Sequence, residues 1–189
     1  MLHYKLDGFQ DGNGNPNLGN TSATYSNQTN GATIADGAWG GDTGTVTFYH
    51  SGGYNGLPYK IYHKTATGSG GIYKKTLDDI VIESGVTYTM SCWIKADRQF
   101  TASHYSFNIN RGVGNRYITY GSGFTIYTDW HYYSKTFTAT DDDAGNYGEM
   151  SIIYDDAVTD YYVYYSGFKI EKGSVATPWC SPNASLNII

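Results

Sequence analysis

Cysteine, proline and aliphatic bulk are all scarce in this chain of 189 residues. It has two cysteines, four prolines, and only 34 residues of leucine, isoleucine, valine and phenylalanine together. Cys92 and Cys180 alone make neither a disulfide framework nor a zinc site. Two thiols are the expected state, with a Cys92–Cys180 bridge the alternative. Basic residues number 12 against 17 acidic ones, for a net charge of −5. Lys74-Lys75 is the sole adjacent basic pair, so the stripe that displaces counterions from a nucleic acid is missing. No stretch approaches the roughly 18 apolar residues of a membrane span. The first eight residues, Met1 to Gly8, lack the apolar core and cleavage site of a secretory signal. The chain is therefore expected to stay in the cytosol, to leave by another route, or to be an excised domain. A sustained helical period is also absent, which excludes a coiled coil or a helical bundle, and glycine follows no collagen-like repeat.

Low aliphatic content signals disorder only when joined to high net charge. Here 20 tyrosines and four tryptophans supply buried area instead, at roughly 150–250 Å² each. Twenty-four glycines between β-branched and aromatic residues suit short strands joined by tight turns. Alternation predicts strands at Thr45–His50, Leu57–Lys64, Tyr88–Ala96, Tyr105–Asn110, Arg116–Tyr120, Phe124–Tyr127, Tyr132–Thr140, Glu149–Tyr154 and Tyr161–Ile170. Shorter apolar runs stand at Ile72-Tyr73 and Ile80–Ile82, and Thr76–Asp79 allows one helical turn at most. Recurrence about every 10–15 residues predicts an all-β, two-sheet antiparallel sandwich or jelly roll. Residues 1–40 read as a lead-in with the first strand or strands, and residues 41–189 as the jelly-roll domain, one domain overall.

Strand parity sorts the aromatics. Tyr88, Met90, Cys92, Ile94 and Ala96 share one side, as do Tyr105, Phe107 and Ile109; Tyr133, Phe137, Val163 and Tyr165 are expected inward too. The opposite parity then carries Ser91, Trp93, Lys95, Asn108, Asn110, Tyr132, Ser134, Tyr162 and Tyr164. Flat aromatic rings cover the C–H face of a sugar, while amides and hydroxyls bond its hydroxyl groups. Trp93, Lys95, Asn108, Asn110, Tyr132, Tyr162 and Tyr164 therefore have the composition of a glycan-binding groove. Cross-strand pairing of outward tyrosines is the structural alternative. Trp39 and Tyr54, each set among glycines, are either loop anchors or contact residues.

Three sequence motifs, in order, resemble jelly-roll carbohydrate-binding modules. They are Ser84-Gly85-Val86-Thr87-Tyr88-Thr89-Met90-Ser91-Cys92-Trp93-Ile94-Lys95-Ala96-Asp97, then Asp129-Trp130 with Tyr133–Ala139, then Phe168-Lys169-Ile170-Glu171-Lys172-Gly173-Ser174-Val175-Ala176-Thr177-Pro178-Trp179. The last is similar to the ending found in bacteriophage tail and baseplate (minor structural) proteins. The resemblance implies a β-sandwich that binds a bacterial surface polysaccharide or serves as an attachment domain of a phage tail. Other tail subunits, and a second and third copy of the chain in a trimer, are the implied protein partners, and a virion assembled in the bacterial cytoplasm the implied location. A structural module without ligand, or a binding module of a secreted glycoside hydrolase, is the alternative. Trp130 and Trp179 fall in framework motifs and are expected in the core. Lys135 replaces a usual apolar residue, which implies an edge strand or a shifted register. Some modules of this kind hold a structural calcium, to which Asp7 and Asp11 would contribute; otherwise no cofactor is expected. The acidic runs Asp141–Asp143 and Asp155-Asp156 with Asp160 read as solvated turns. No catalytic residue is expected: three glutamates, five histidines without metal spacing and no nucleophile elbow give no basis for an enzyme.

Overall fold

The computed structural model describes residues 30–31, 33–35, 44–66, 74–75, 82–102, 104–110, 116–118, 124–153 and 159–179. Trp39, Asp7, Asp11, Cys180, Asp155-Asp156 and the segments 72–73 and 76–81 lie outside them. Twelve strands are present among the described residues: β1 (Thr33–Ala35), β2 (Gly44–Tyr49), β3 (Tyr59–Lys64), β4 (Lys74–Lys75), β5 (Thr87–Ala96), β6 (Phe100–Ala102), β7 (His104–Asn110), β8 (Arg116–Tyr117), β9 (Phe124–Ile126), β10 (His131–Thr138), β11 (Tyr147–Ile153) and β12 (Tyr161–Lys172). All pairings are antiparallel. They form a six-stranded sheet in the order β1-β2-β3-β12-β5-β10, a four-stranded sheet β4-β11-β7-β8, and a ribbon β6-β9. The all-β reading of the sequence holds.

One apolar cluster joins the sheets. Val46, Phe48, Tyr62, Tyr88, Met90, Cys92, Ile94, Ala96, Val163, Tyr165 and Ile170 come from one face of the larger sheet, and Ile109, Ile126 and Phe100 meet them from the other strands. The predicted inward set of β5 is buried throughout. Tyrosine rings fill space where leucine is scarce. Tyr88 is fully buried and accepts a hydrogen bond from the Glu83 backbone N–H at 3.0 Å. Burial pushes the Cys92 thiol up, so it stays protonated and inert. Lys60 and Lys64 share the inward parity with Tyr62; their ammonium groups stand 6.0 and 5.9 Å from the rings of Phe48 and Tyr161.

Strand β10 lies at the edge of the large sheet, which explains Lys135. Lys135 is opposite Met90 on the inward parity, yet it is exposed, and among the described residues no strand pairs with the far side of β10. The run Asp141–Asp143 is a turn with Asp141 and Asp142 exposed, as expected of it, but Asp143 is not solvated. The run forms a short 3-10 turn in which Asp143 is fully buried, accepting from the Thr140 backbone N–H at 2.8 Å and the Thr140 hydroxyl at 3.0 Å. Asp141 accepts from the Ser84 hydroxyl. Capping of the turn, rather than hydration, uses the Asp143 carboxylate.

Strand β12 carries a β-bulge. Ser166 pairs with Trp93 but Lys169 pairs with Ser91, so β12 spends one extra residue there. Gly167, inside the bulge, has φ +60, a region that disfavours any side chain. A Cβ on Gly167 would sit 2.8 Å from the Leu57 side chain and 3.4 Å from Trp179. Gly167→Ala is therefore expected to lose about 1–2 kcal/mol of stability, measured by urea unfolding; an unchanged midpoint would refute the strain.

Candidate functional site

The outer face of the six-stranded sheet follows from its register. Tyr49, Tyr59, Ser166, Trp93 and Tyr132 form one row across β2, β3, β12, β5 and β10. Beside it runs Thr47, Ile61, Tyr164 and Lys95, then Thr45, His63 and Tyr162. Five residues predicted to lie outward together, Trp93, Lys95, Tyr132, Tyr162 and Tyr164, do share this face. Asn108 and Asn110 do not. They belong to β7 in the four-stranded sheet, where Asn108 is in register with Glu149 and Tyr117, and Asn110 with Tyr147. Sequence parity assigns a side of a strand but says nothing about which sheet receives the strand.

Two segments fold over the outer face and leave a groove between them. The first is the β2–β3 connection. Its Tyr54 backbone N–H donates to the Ser166 hydroxyl at 3.1 Å, and that hydroxyl donates to the Pro58 carbonyl at 3.1 Å. A side chain on Gly53 would collide with Ser166 and the Leu57 carbonyl, so glycine there permits the close approach. Thus pinned, the Tyr54 ring stacks on Trp93, with centroids 3.5 Å apart and planes 14° apart. Tyr54 had no partner in the sequence pattern; the contact across 39 residues comes from this loop.

The second segment is 173–179, held down by a buried ion pair. The bulge places Lys169 and Glu171 on the outer parity, where both are fully buried, with Nζ to Oε2 at 3.1 Å. Thr177 bridges them. Its backbone N–H donates to Glu171 Oε1 at 2.8 Å, its hydroxyl donates to Glu171 Oε2, and it accepts from Lys169 Nζ. Lys169 also donates to the Pro178 carbonyl at 3.0 Å. Upstream, Gly173 N–H donates to the Thr87 carbonyl at 2.8 Å, and the Thr89 and Thr136 hydroxyls reach the carbonyls of Gly173 and Ser174 at 2.8 and 3.1 Å. This cover buries Thr89 and Ser91 although they face away from the core.

The groove has a volume of about 410 Å³, with Tyr54, Asn55, Leu57, Trp93, Tyr132 and Trp179 around it and residues 176–178 completing the wall. None of its lining residues carries a charge. Tyr132 is 41% exposed and tilts against Trp93 at 5.0 Å. Burial pushes its phenol up, while a hydrogen bond with Ser91 pulls the other way. It is therefore neutral at physiological pH and able to donate as well as accept. Trp179 is half-buried in the groove wall rather than in the core, and Trp130 is half-buried beside Lys95. Their framework motifs mark segments that cover the sheet, not residues of its interior.

Beyond the groove, Lys95 Nζ sits 5.0 Å from the rings of both Trp130 and Tyr164. Tyr162 is exposed and stacks on His63 at 4.2 Å, and His63 Nε2 is 2.9 Å from Asp160. Among the described residues no group of three histidine, cysteine, aspartate or glutamate side chains lies close enough to hold a metal. The calcium candidates Asp7 and Asp11, and the loop candidate Trp39, fall outside the described residues.

Residues 37–152 match the model of a family described as carbohydrate binding domain. The chain belongs to that family. Solved structures agree in fold. A CBM4 domain superposes with a TM-score of 0.53 at 16% identity, over 83% of this chain and 99% of its own. The CBM22-2 xylan-binding domain from Paenibacillus barcinonensis Xyn10C does so at 0.53 and 14%, over 78% and 95%. The arabinose-bound MgGH51 α-L-arabinofuranosidase reaches 0.52 and 16%, over 68% of this chain and 22% of that enzyme. At such identities the likeness is one of fold. No curated protein matches the chain in sequence.

The geometry of this carbohydrate-binding domain makes the Glu171 carboxylate structural. Glu171→Ala would strand the Lys169 ammonium in a dry site and is expected to cost about 3–5 kcal/mol, whereas Lys169→Met/Glu171→Met removes both charges and should cost far less. Chemical denaturation of the two variants checks this; equal losses would contradict it.

Proposed function

We propose that this domain is a non-catalytic module that holds a polysaccharide in the groove beside Trp93. One observation carries the reading: on a member of a carbohydrate-binding family, aromatic rings with an amide and hydroxyls line an open, uncharged groove. Trp179 and Tyr132 offer ring faces and edges to the C–H side of a sugar, and the neutral Tyr132 hydroxyl and the Asn55 amide bond its hydroxyl groups. Its volume suits one or two sugar units of a longer chain. Catalysis by paired carboxylates has no support there. Glu171 is buried in its ion pair, and Glu83 is engaged by Lys172 at 2.7 Å.

The module is best read as one that delivers a polysaccharide to an attached activity, as in a secreted glycoside hydrolase. That a similar fold forms part of an arabinofuranosidase chain, and another is named as xylan-binding, supports this assignment. A second reading is attachment to a bacterial surface glycan from a phage tail or baseplate, with the virion as its location. The closing motif Phe168–Trp179 favours it.

Affinity electrophoresis and calorimetry against xylan, β-glucan and purified bacterial cell-wall polysaccharide test both. Preference for xylan or β-glucan supports the first and preference for cell-wall material the second. Tyr132→Ala is expected to weaken binding about tenfold, and Trp93→Ala at least as much, while Lys135→Ala leaves it unchanged. Loss of binding in Asn108→Ala with none in Tyr132→Ala would move the site to the four-stranded sheet and overturn this reading.

A further inference from the structure

We propose that Lys169, Glu171 and Thr177 are positioning residues for the groove, so that sugar affinity depends on a buried ion pair whose charges no ligand reaches. This rests on the groove being the binding site. Lys169 and Glu171 are both fully buried, so neither touches solvent or sugar. What they hold is the wall opposite Tyr54. Thr177 uses its backbone N–H and its hydroxyl on Glu171 and accepts from Lys169, and Lys169 fixes the next carbonyl, that of Pro178. Trp179 follows directly. Its ring lies where a Cβ at Gly167 would approach within 3.4 Å, so the bulge and the ion pair together set the width of the groove.

At the other end of the segment, Gly173 and Ser174 are held by Thr87, Thr89 and Thr136, and Val175 is 68% exposed. Release of Thr177 removes the hydrogen bonds that seat the residues leading into Trp179, while β12 and β5 keep their pairing. The latch also lies beyond residues 37–152, the part of the chain that matches the family. Its role in shaping the groove is thus a property of this chain's closing motif.

A double-mutant cycle separates positioning from plain stability. Affinity for soluble xylan and for bacterial cell-wall polysaccharide is measured by calorimetry in Thr177→Val, Trp179→Ala and their combination. Trp179→Ala and Thr177→Val are each expected to lose about tenfold, and the combination no more than either, because a released wall no longer presents Trp179. Thr177→Ser restores affinity. Lys169→Met/Glu171→Met, which leaves no lone charge, should reproduce Thr177→Val if that variant folds poorly. Multiplying losses, or wild-type affinity in Thr177→Val while Trp179→Ala is impaired, overturns the proposal. Wild-type affinity in Trp179→Ala, or no binding of either polysaccharide, counts against the groove as the site. In those cases acrylamide quenching of Trp179 fluorescence, taken as the difference from Trp179→Ala, decides the latch. Greater quenching in Thr177→Val and in Lys169→Met/Glu171→Met upholds it, and unchanged quenching in both overturns it.

Discussion

Between Ser166 and Lys169 the last strand holds one residue more than its neighbour β5, and the closing cover of the outer face depends on that insertion. A strand's side chains alternate strictly, so an extra residue reverses every side chain that follows it. Without it, Lys169 and Glu171 would point into the sandwich and Ile170 out of it. With it, Ile170 completes the core and the charged pair meets Thr177 on the other side. On the near side of the bulge, the Ser166 hydroxyl ties down the loop that carries Tyr54. The residues on either side of one local irregularity thus anchor two distant chain segments, the β2–β3 loop and residues 173–179, against the same sheet.

A buried ion pair is a poor stabiliser in general, because desolvation of both charges offsets their attraction. Here the pair gains from additional bonds: Thr177 satisfies both partners, and Lys169 has a backbone carbonyl as well. Its effect is directional. An apolar pair at those positions would bury as well but would not dictate which residue of the closing segment docks, whereas a carboxylate and an ammonium accept only a group that donates and accepts at once. The hydroxyl of Thr177 does both.

Strand positions, the inward face of β5 and that of β12 up to its bulge were legible in the sequence, because a half-buried strand must alternate and the β5 sequence alternates over ten residues. The edge location of β10 was legible too, through the single charged residue Lys135 on an otherwise inward parity. Less could be read where burial comes from chain segments laid over the sheet. Thr89 and Ser91 are outward by parity and buried in fact, and Lys169 and Glu171, inward by parity, are turned to the outer face by the bulge and buried there. Trp179 and Trp130 occupy half-buried positions on or near the outer face although their motifs mark framework, because the framework in question is the covering segment itself. Asn108 and Asn110 had the right parity but the wrong sheet, since which of two sheets receives a strand is a long-range choice.

Composition and alternation by themselves determined an all-β domain whose core draws on tyrosine beside its aliphatic residues, with Trp93, Lys95, Tyr132, Tyr162 and Tyr164 facing away from it. These follow from local rules of period two and need no knowledge of neighbours. Only the tertiary structure decided that Tyr54 stacks on Trp93, that Asn108 and Asn110 stand on the other sheet, and that the closing segment becomes the wall of a groove. Each of those depends on contacts between residues far apart in the chain, and on a bulge whose extra residue carries no signature beyond a glycine.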